Sequence, residues 1–369
     1  MNNIETKLIE AIKASLHDEQ ITMEVSNELV SLAKQHQVQN LLYLATKNAE
    51  LKKKYLISAS QSINQECAID ELINCFEINS LDLMLIKGVC TRLRYIDTTM
   101  RTMGDIDILI NATQSKKVHN MLLELGYENY IEGRKHDTYS KSSFVSLEVH
   151  KDLLDGENEY YWYYSDIWKK AIRYKNNQFV YQLSLEDEYI FNIIHLVNHF
   201  KNGGIGLRFV VDVYIYEQLD FDRTYVEQEL KKMHLLEFYK NIKTLSNIWF
   251  GNNENIISSD KTLEQLGDYI LNCGIFGNKT NRVNLIAGGN RLKFLIRFCF
   301  PGYKSMKSMF PWLIPVLLPF AWALRGIRAL LYRRKNVKFI LDSTTKGDKE
   351  KGNNLIKFYE NCGLHAENN

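Results

Sequence analysis

Two aspartates separated by one residue, Asp105 and Asp107, stand in the run GDIDILI, and Glu148 stands in SFVSLEVH. In an extended strand, residues i and i+2 point to the same side. Asp105 and Asp107 therefore project together, while Ile106, Ile108 and Ile110 face a core. Two carboxylates held side by side repel one another, and a hard divalent cation such as Mg²⁺ or Mn²⁺ removes that cost. Mg²⁺ usually takes one or two carboxylates and leaves positions for substrate phosphates. In the second run Ser146, Glu148 and His150 share one face. If that strand lies beside the first, Glu148 approaches the aspartates as a third acid. Three acids can bridge two ions about 3.5–4 Å apart, a spacing that clamps attacking and leaving oxygens.

A phosphate site is expected next to this cluster. The apolar run LDLMLI ends in Lys87-Gly88. Gly88 has no Cβ, so backbone N–H groups can approach a phosphate closely. The helix that follows points its N-terminus at the same place. Lys87 adds a positive charge, and Arg101, four residues before Asp105, adds another. An isolated Asp-x-Asp is more often a solvated turn, and an isolated Lys-Gly is more often a helix entry. It is their joint placement on strand, turn, helix and strand that carries the reading.

The elements that must position these residues follow from periodicity. Residues 4–16 and 24–49 have helical spacing, and 55–80 continue as a long helix with Ile63, Cys67, Ile69, Leu72, Ile73 and Phe76 on one side. LDLMLI, 105–110 and 142–150 read as strands, with one or two more within 127–140. Residues 115–127 form a helix stopped by Gly126. The chain is helical again from about 185, including 223–250 and 261–273. The expected fold class is α+β: a small α/β domain flanked by N- and C-terminal helical regions. The expected units are 1–80 (helical), 81–155 (the α/β catalytic domain), 156–300 (helical), 301–345 (a proline-punctuated helical segment) and 346–369 (a polar, frayed tail).

Composition narrows the class. The chain has 369 residues, 45% hydrophobic and 24% charged, as in ordinary globular proteins. Its net charge of +2 gives no global attraction to nucleic acid. All four prolines fall at 301 and beyond, which favours helix before that point. The six cysteines show no metal-knuckle spacing, so reduced, buried thiols in a cytoplasmic protein are expected. The N-terminus lacks the pattern of a signal peptide. The most apolar run, Met309 to Leu324, is too short and too broken by proline to span a membrane.

The segments IKGVCTRLRYID, MRTMGDIDILI, LLELGY and LEVH together resemble the uncharacterised bacterial nucleotidyltransferase family of the DNA polymerase β superfamily. EDEYIFNIIHLVNHF, GLRFVVDVYIY and the proline-rich segment FCFPGY…PWLIPVLLPFAWALRGIRALL extend the resemblance over most of the chain. It implies a polymerase-β-like catalytic domain that transfers a nucleoside monophosphate from an NTP to an acceptor and releases pyrophosphate. Asp105, Asp107 and Glu148 would be catalytic and hold Mg²⁺ or Mn²⁺; Lys87, Gly88 and Arg101 would meet the triphosphate. Family members accompany polysaccharide or ribosomal-peptide clusters, which implies a small-molecule, glycan or peptide acceptor. One departure is that the wider superfamily carries Gly-Ser in the phosphate turn, where this chain has Lys87-Gly88-Val89. The competing readings are a non-catalytic nucleotide- or partner-binding module, and a toxin–antitoxin enzyme acting on protein or tRNA.

Several residues have two readings. His195 and His199 lie at i, i+4 without the Glu of a zinc-protease motif, so packing is expected. Arg208 and Asp212 read as a helix ion pair; alternatively His199, Arg208 and Asp212 line the cleft and contact substrate, while His150 either contacts phosphate or acceptor or orients Glu148 through a hydrogen bond. Arg92 and Arg94 are expected in solvent. The aromatic cluster EYYWYY (159–164) is expected between the small domain and the helices. The segment 309–335 is expected to pack on the protein, with peripheral membrane contact as the alternative.

Overall fold

The computed structural model describes residues 2–364 except 132–135, 143, 155, 157, 253–259, 275–276, 289–290, 311, 333, 335–336 and 339–347. Pro311, Arg333 and Lys335, within the segment 309–335, and the end of the tail lie outside the described residues.

Three helices open the chain, α1 (Asn3–Leu16), α2 (Asn27–Gln35) and α3 (Gln39–Thr46). Asn2 caps α1 in a reciprocal capping box with Glu5. The single helical pattern read over 24–49 is two helices, because Gln37 turns with positive φ. Helix α4 (Ala49–Ile78) runs 30 residues. Its buried face holds Ala68, Ile69, Leu72, Ile73 and Phe76, but Ile63 and Cys67, expected on that face, are exposed.

The sheet begins with β1 (Leu83–Leu85), followed by the one-turn helix α5 (Gly88–Arg92). Then come β2 (Ile106–Ile110), α6 (Ser115–Glu124), β3 (Glu128–Ile131), β4 (His136–Ser142) and β5 (Val145–His150). A short helix α7 (Tyr161–Tyr164) precedes β6 (Ile172–Arg173) and β7 (Val180–Gln182). The strand order is β3-β4-β5-β2-β1-β7-β6. β2 pairs antiparallel with β1 and parallel with β5, which sets Asp107 opposite Glu148 and Leu109 opposite His150.

The period of two splits the sheet between two cores. Leu83, Leu85, Ile106, Ile108, Ile110, Leu147 and Val149 pack with α4 and α6. Met84, Ile86 and Leu109 turn the other way, into a larger core of helices. Asp107 has the parity of Leu109, so the acids face that helical side.

The helical core is made by α1–α3 together with α8 (Leu185–Lys201), α9 (Leu207–Glu217), α10 (Arg223–Lys232), α11 (Leu236–Phe250) and α12 (Lys261–Cys273). It runs across the expected boundaries at 80 and 155. The helix read as 223–250 is two, broken at His234 with φ 57°. Helix α9 is buried over nine of its eleven residues, a helix sunk in the core rather than laid on it. Tyr160 and Tyr164 pack into the same core as expected, while Trp162 is exposed.

Beyond α12 lie α13 (Lys279–Gly288), α14 (Arg291–Cys299), α15 (Tyr303–Met309) and α16 (Leu318–Tyr332). The tail expected to fray instead forms a helix, Lys349–Asn361, capped by Asp348. Tyr359, Cys362 and Leu364 are buried in the helical core, and Tyr359 donates to the Phe200 carbonyl at 2.8 Å. The apolar residues Leu355, Phe358, Tyr359 and Cys362 recur at helical spacing, a sparse stripe within a polar segment. The cysteines are all free thiols, but only Cys90, Cys273 and Cys362 are buried; Cys67 and Cys299 are exposed.

Candidate active site

β2 and β5 are adjacent and parallel, so Asp107 and Glu148 share one face of the sheet at the same level. Asp105 stands just ahead of β2 and comes close enough to Glu148 for a side-chain hydrogen bond. The three acids read from the sequence therefore meet. Two histidines join them. His150 Nε2 lies 2.8 Å from Asp107 Oδ1 and 3.5 Å from Glu148 Oε2. His136, opposite His150 across β4 and β5, puts Nε2 3.2 Å from Glu148 Oε1.

His136 was not singled out from the sequence. It falls in a region assigned only to unspecified strands, and the register that makes it the neighbour of His150 is a tertiary fact. His136, Glu148 and His150 offer ligand atoms all within 4.8 Å of one another.

Lys87 occupies a different place from the one expected. Its Nζ lies 2.6 Å from Asp107 Oδ1 and 3.1 Å from His150 Nε2, on the acids themselves. Its backbone has φ 52°, a conformation uncommon for a side chain other than Gly or Asn, at the turn into α5. Helix α5 has only five residues, so its dipole contributes less than a long helix would. The turn does leave the amides of Gly88 and Val89 in the open first turn. A Cβ on Gly88 would sit 3.1 Å from Met103 Sδ and 3.3 Å from Arg101 Nη1, a tight approach that a larger residue meets only if those side chains shift.

Arg101 lies beside that turn, but its charge is matched elsewhere. Its Nε and Nη2 donate to the Asp212 carboxylate at 2.7 and 3.0 Å, and both residues are buried. Tyr95 donates to the same carboxylate at 2.7 Å. Asp212 is thus the counter-ion of Arg101 and is enclosed, and the Arg208–Asp212 pair expected along α9 does not form. Helical spacing brings Arg208 near Asp212, but the geometry of α5 and the loop after it claims both oxygens.

Arg208 is left short of acid. Its Nη1 donates to the Gln37 side chain and, at 3.5 Å, to the Thr102 carbonyl, and its buried Nε has no partner among the described residues. Burial, and then the neighbouring Arg101, lower its pKa to about 10. His199 lies one turn from His195 with ring centroids 4.6 Å apart, both against Phe209. Burial holds both imidazoles below their usual pKa, and both feel the charges of Arg208 and Lys87. His199 and Arg208 therefore belong to the helical wall facing the acids; Asp212 sits behind that wall.

Arg92 and Arg94, expected in solvent, hold the small sheet to its neighbours. Arg92 is 1% exposed and donates to Gln65 of α4 at 3.2 Å. Arg94 makes a two-point ion pair with buried Glu188 of α8 at 3.2 and 2.6 Å. The cause is the brevity of α5, which is wedged between α4 and α8.

The electrostatics of the acids differ from one to the next. Burial alone would raise Asp107, but the bond from His150 and the charge of Lys87 overcome it and bring it down to about 2. Asp105 goes the other way, to about 6, through burial and then repulsion by Asp107 and Glu148. Glu148 is lowered chiefly by its bond with His150. Among the described ion pairs, Lys87 and His150 both sit on Asp107 and none reaches Asp105. The cluster is thus short of positive charge at Asp105, and its oxygen-rich donor set with flanking imidazoles fits a divalent cation such as Mg²⁺ or Mn²⁺.

No curated protein and no solved structure matches the chain. A family model described as uncharacterised nucleotidyltransferase matches residues 23–251. That span is more than half of the chain and contains the acids, the Lys87-Gly88 turn and the wall formed by α8 and α9. This protein is therefore an enzyme of the nucleotidyltransferase class and belongs to that family.

Proposed function

We propose that this enzyme carries out metal-dependent transfer of a nucleoside monophosphate from an NTP to an acceptor hydroxyl, releasing pyrophosphate, in the manner of the polymerase β superfamily. The observation that carries the reading is the convergence of Asp105, Asp107 and Glu148, with Asp105 lacking a described cationic partner and raised to about 6. Asp105, Asp107 and Glu148 would hold the divalent cation, with His136 and His150 able to enter its shell. When bound, such a cation stabilises the charge that develops on phosphoryl and leaving oxygens. The residues of the chain do the rest. Amides at the Gly88 turn and the unpartnered Nε of Arg208 receive phosphate oxygens. Lys87, whose Nζ lies 2.6 Å from Asp107, would supply a second positive group to the same phosphates. Glu148 takes the acceptor proton, and His150, bonded to both Asp107 and Glu148, keeps those carboxylates in register. His199 lines the pocket on the helical side.

The acceptor is proposed to be a small molecule, glycan or peptide. The test is incubation of the protein with each NTP, Mg²⁺ or Mn²⁺ and candidate acceptors, following pyrophosphate and mass-labelled product. Pyrophosphate release that needs metal, and stops in Asp107→Asn, is the expected result; release that persists in that variant would overturn the reading.

A further inference from the structure

The charge of this chain is strongly segregated. Between Asp268 and Asp342 it has thirteen Lys or Arg residues and no Asp or Glu. The whole chain carries +2, so the remainder carries −11. Within the basic stretch, α15 and α16 fold back on each other over a small core of their own, Met306, Phe310, Leu313 and Ala321. Tyr303 and Lys307 both donate to the Leu313 carbonyl, at 3.0 and 2.7 Å, and Trp322 Nε1 donates to the Pro301 carbonyl at 2.9 Å. Side-chain polar groups thus satisfy one carbonyl of the connecting loop, that of Leu313, and one just ahead of α15, that of Pro301.

The outer surface is apolar. Trp312, Ile314, Phe320, Ile327 and Leu331 are each more than half exposed, and Val316 is 83% exposed. On α16, Phe320, Ile327 and Leu331 repeat at i, i+7 and i+11, one stripe of a helix. Arg328 is exposed beside this stripe, its guanidinium 5.6 Å from the Phe310 ring. The segment expected to pack on the protein therefore shows much of its apolar face to water.

We infer that this hairpin docks the protein, lying in the plane, on an anionic lipid surface. A nucleic acid would use the cations but leave the aliphatic side chains of Ile314 and Val316 wet. A protein partner or a second copy would cover those side chains but gives no reason for seventy-odd residues without an acid. A bilayer with anionic headgroups matches both features, since aromatic and aliphatic side chains enter the headgroup boundary and cations remain at its surface. No helix among the described residues is long and apolar enough to cross a membrane, in keeping with a surface-lying element.

The test is flotation of the full chain with vesicles of phosphatidylcholine alone and of phosphatidylcholine mixed with phosphatidylglycerol. Binding to the mixed vesicles, weakened by added salt and reduced at least tenfold by Val316→Asp with Phe320→Asp, is expected. Both side chains point to solvent, so an unchanged circular dichroism spectrum and NTP turnover should accompany that loss. A readout that does not depend on the double variant is quenching of tryptophan fluorescence by brominated phosphatidylglycerol vesicles, which should fall in Trp312→Phe. Three outcomes would each overturn the proposal: no flotation with either vesicle, equal flotation of the double variant, or self-association or RNA binding that the double variant removes while lipid binding is absent.

Discussion

Asp107 and Asp105 sit two residues apart, yet their surroundings push them in opposite directions, to about 2 and about 6. That divergence gives a pH test. A carboxylate raised in the fold binds its proton more tightly folded than unfolded, so its contribution to stability is complete below the unfolded value and is lost as pH rises through the folded one. For Asp105 that window runs from 3.8 to about 6. His150, also raised, loses its contribution in the adjoining range above its ordinary 6.5. Asp107 is lowered, so its contribution disappears only as pH falls from 3.8 towards 2 and does not interfere. Through these two groups the metal-free melting temperature falls as pH rises from about 4 to about 7, while the lowered imidazoles of His36, His136, His195 and His199 act oppositely over that range. The share of Asp105 is therefore read as the difference in melting temperature between the protein and Asp105→Asn. Mn²⁺ should raise the melting temperature more at pH 7 than at pH 5, where it competes with protons, and calorimetry at the two pH values checks this. A shift of equal size at both would show that Asp105 does not hold the ion. Asp107→Asn should cut pyrophosphate release by about three orders of magnitude, the scale on which a preorganised charge acts.

At the level of elements, the buried pair between Arg101 and Asp212 ties the loop before β2 to α9. Removing one partner of a buried pair leaves the other charge uncompensated, and here Arg208 stands beside it as a second cation. Asp212→Asn should therefore cost about 3–5 kcal/mol, read from urea denaturation. A cost below about 1 kcal/mol would mean that water already solvates the pair. The pairing also marks where sequence reading stopped. Arg208 and Asp212 at i, i+4 fit a helix ion pair, but the contest for Asp212 is decided by Arg101 and Tyr95, over a hundred residues away. β2, β5, α6 and the Gly88 turn were legible because their periodicity is local. The placement of Lys87 on Asp107 was not, because it follows from β1 and β2 being neighbours.

At the scale of the whole molecule, the C-terminal helix closes the core begun by α1–α3 and α8–α12. Tyr359 is 7% exposed and bonds both Tyr269 and the Phe200 carbonyl. Tyr359→Ala should destabilise the fold by about 3 kcal/mol, the cost of emptying an aromatic site, measured as a shift of the denaturation midpoint with unchanged slope. If the tail frayed as its polar composition suggests, the variant would match the parent protein. The same scale shows why a net charge of +2 says little about partners: an acidic body and a basic C-terminal quarter cancel in the sum.

The sequence by itself determined the acids, the strands that carry Asp107 and Glu148, and the class of chemistry, because strand parity and a carboxylate's affinity for hard cations are local properties. Only the tertiary structure decided which charges meet. It set Lys87 and His150 on Asp107, brought His136 to Glu148, gave Asp212 to Arg101, and left Arg208 Nε without a partner among the described residues. Each of these depends on strand register or on helices packed from distant parts of the chain. Coulomb and hydrogen-bond energies at such sites change with ångström-scale distance and burial, which residue spacing along the chain does not encode.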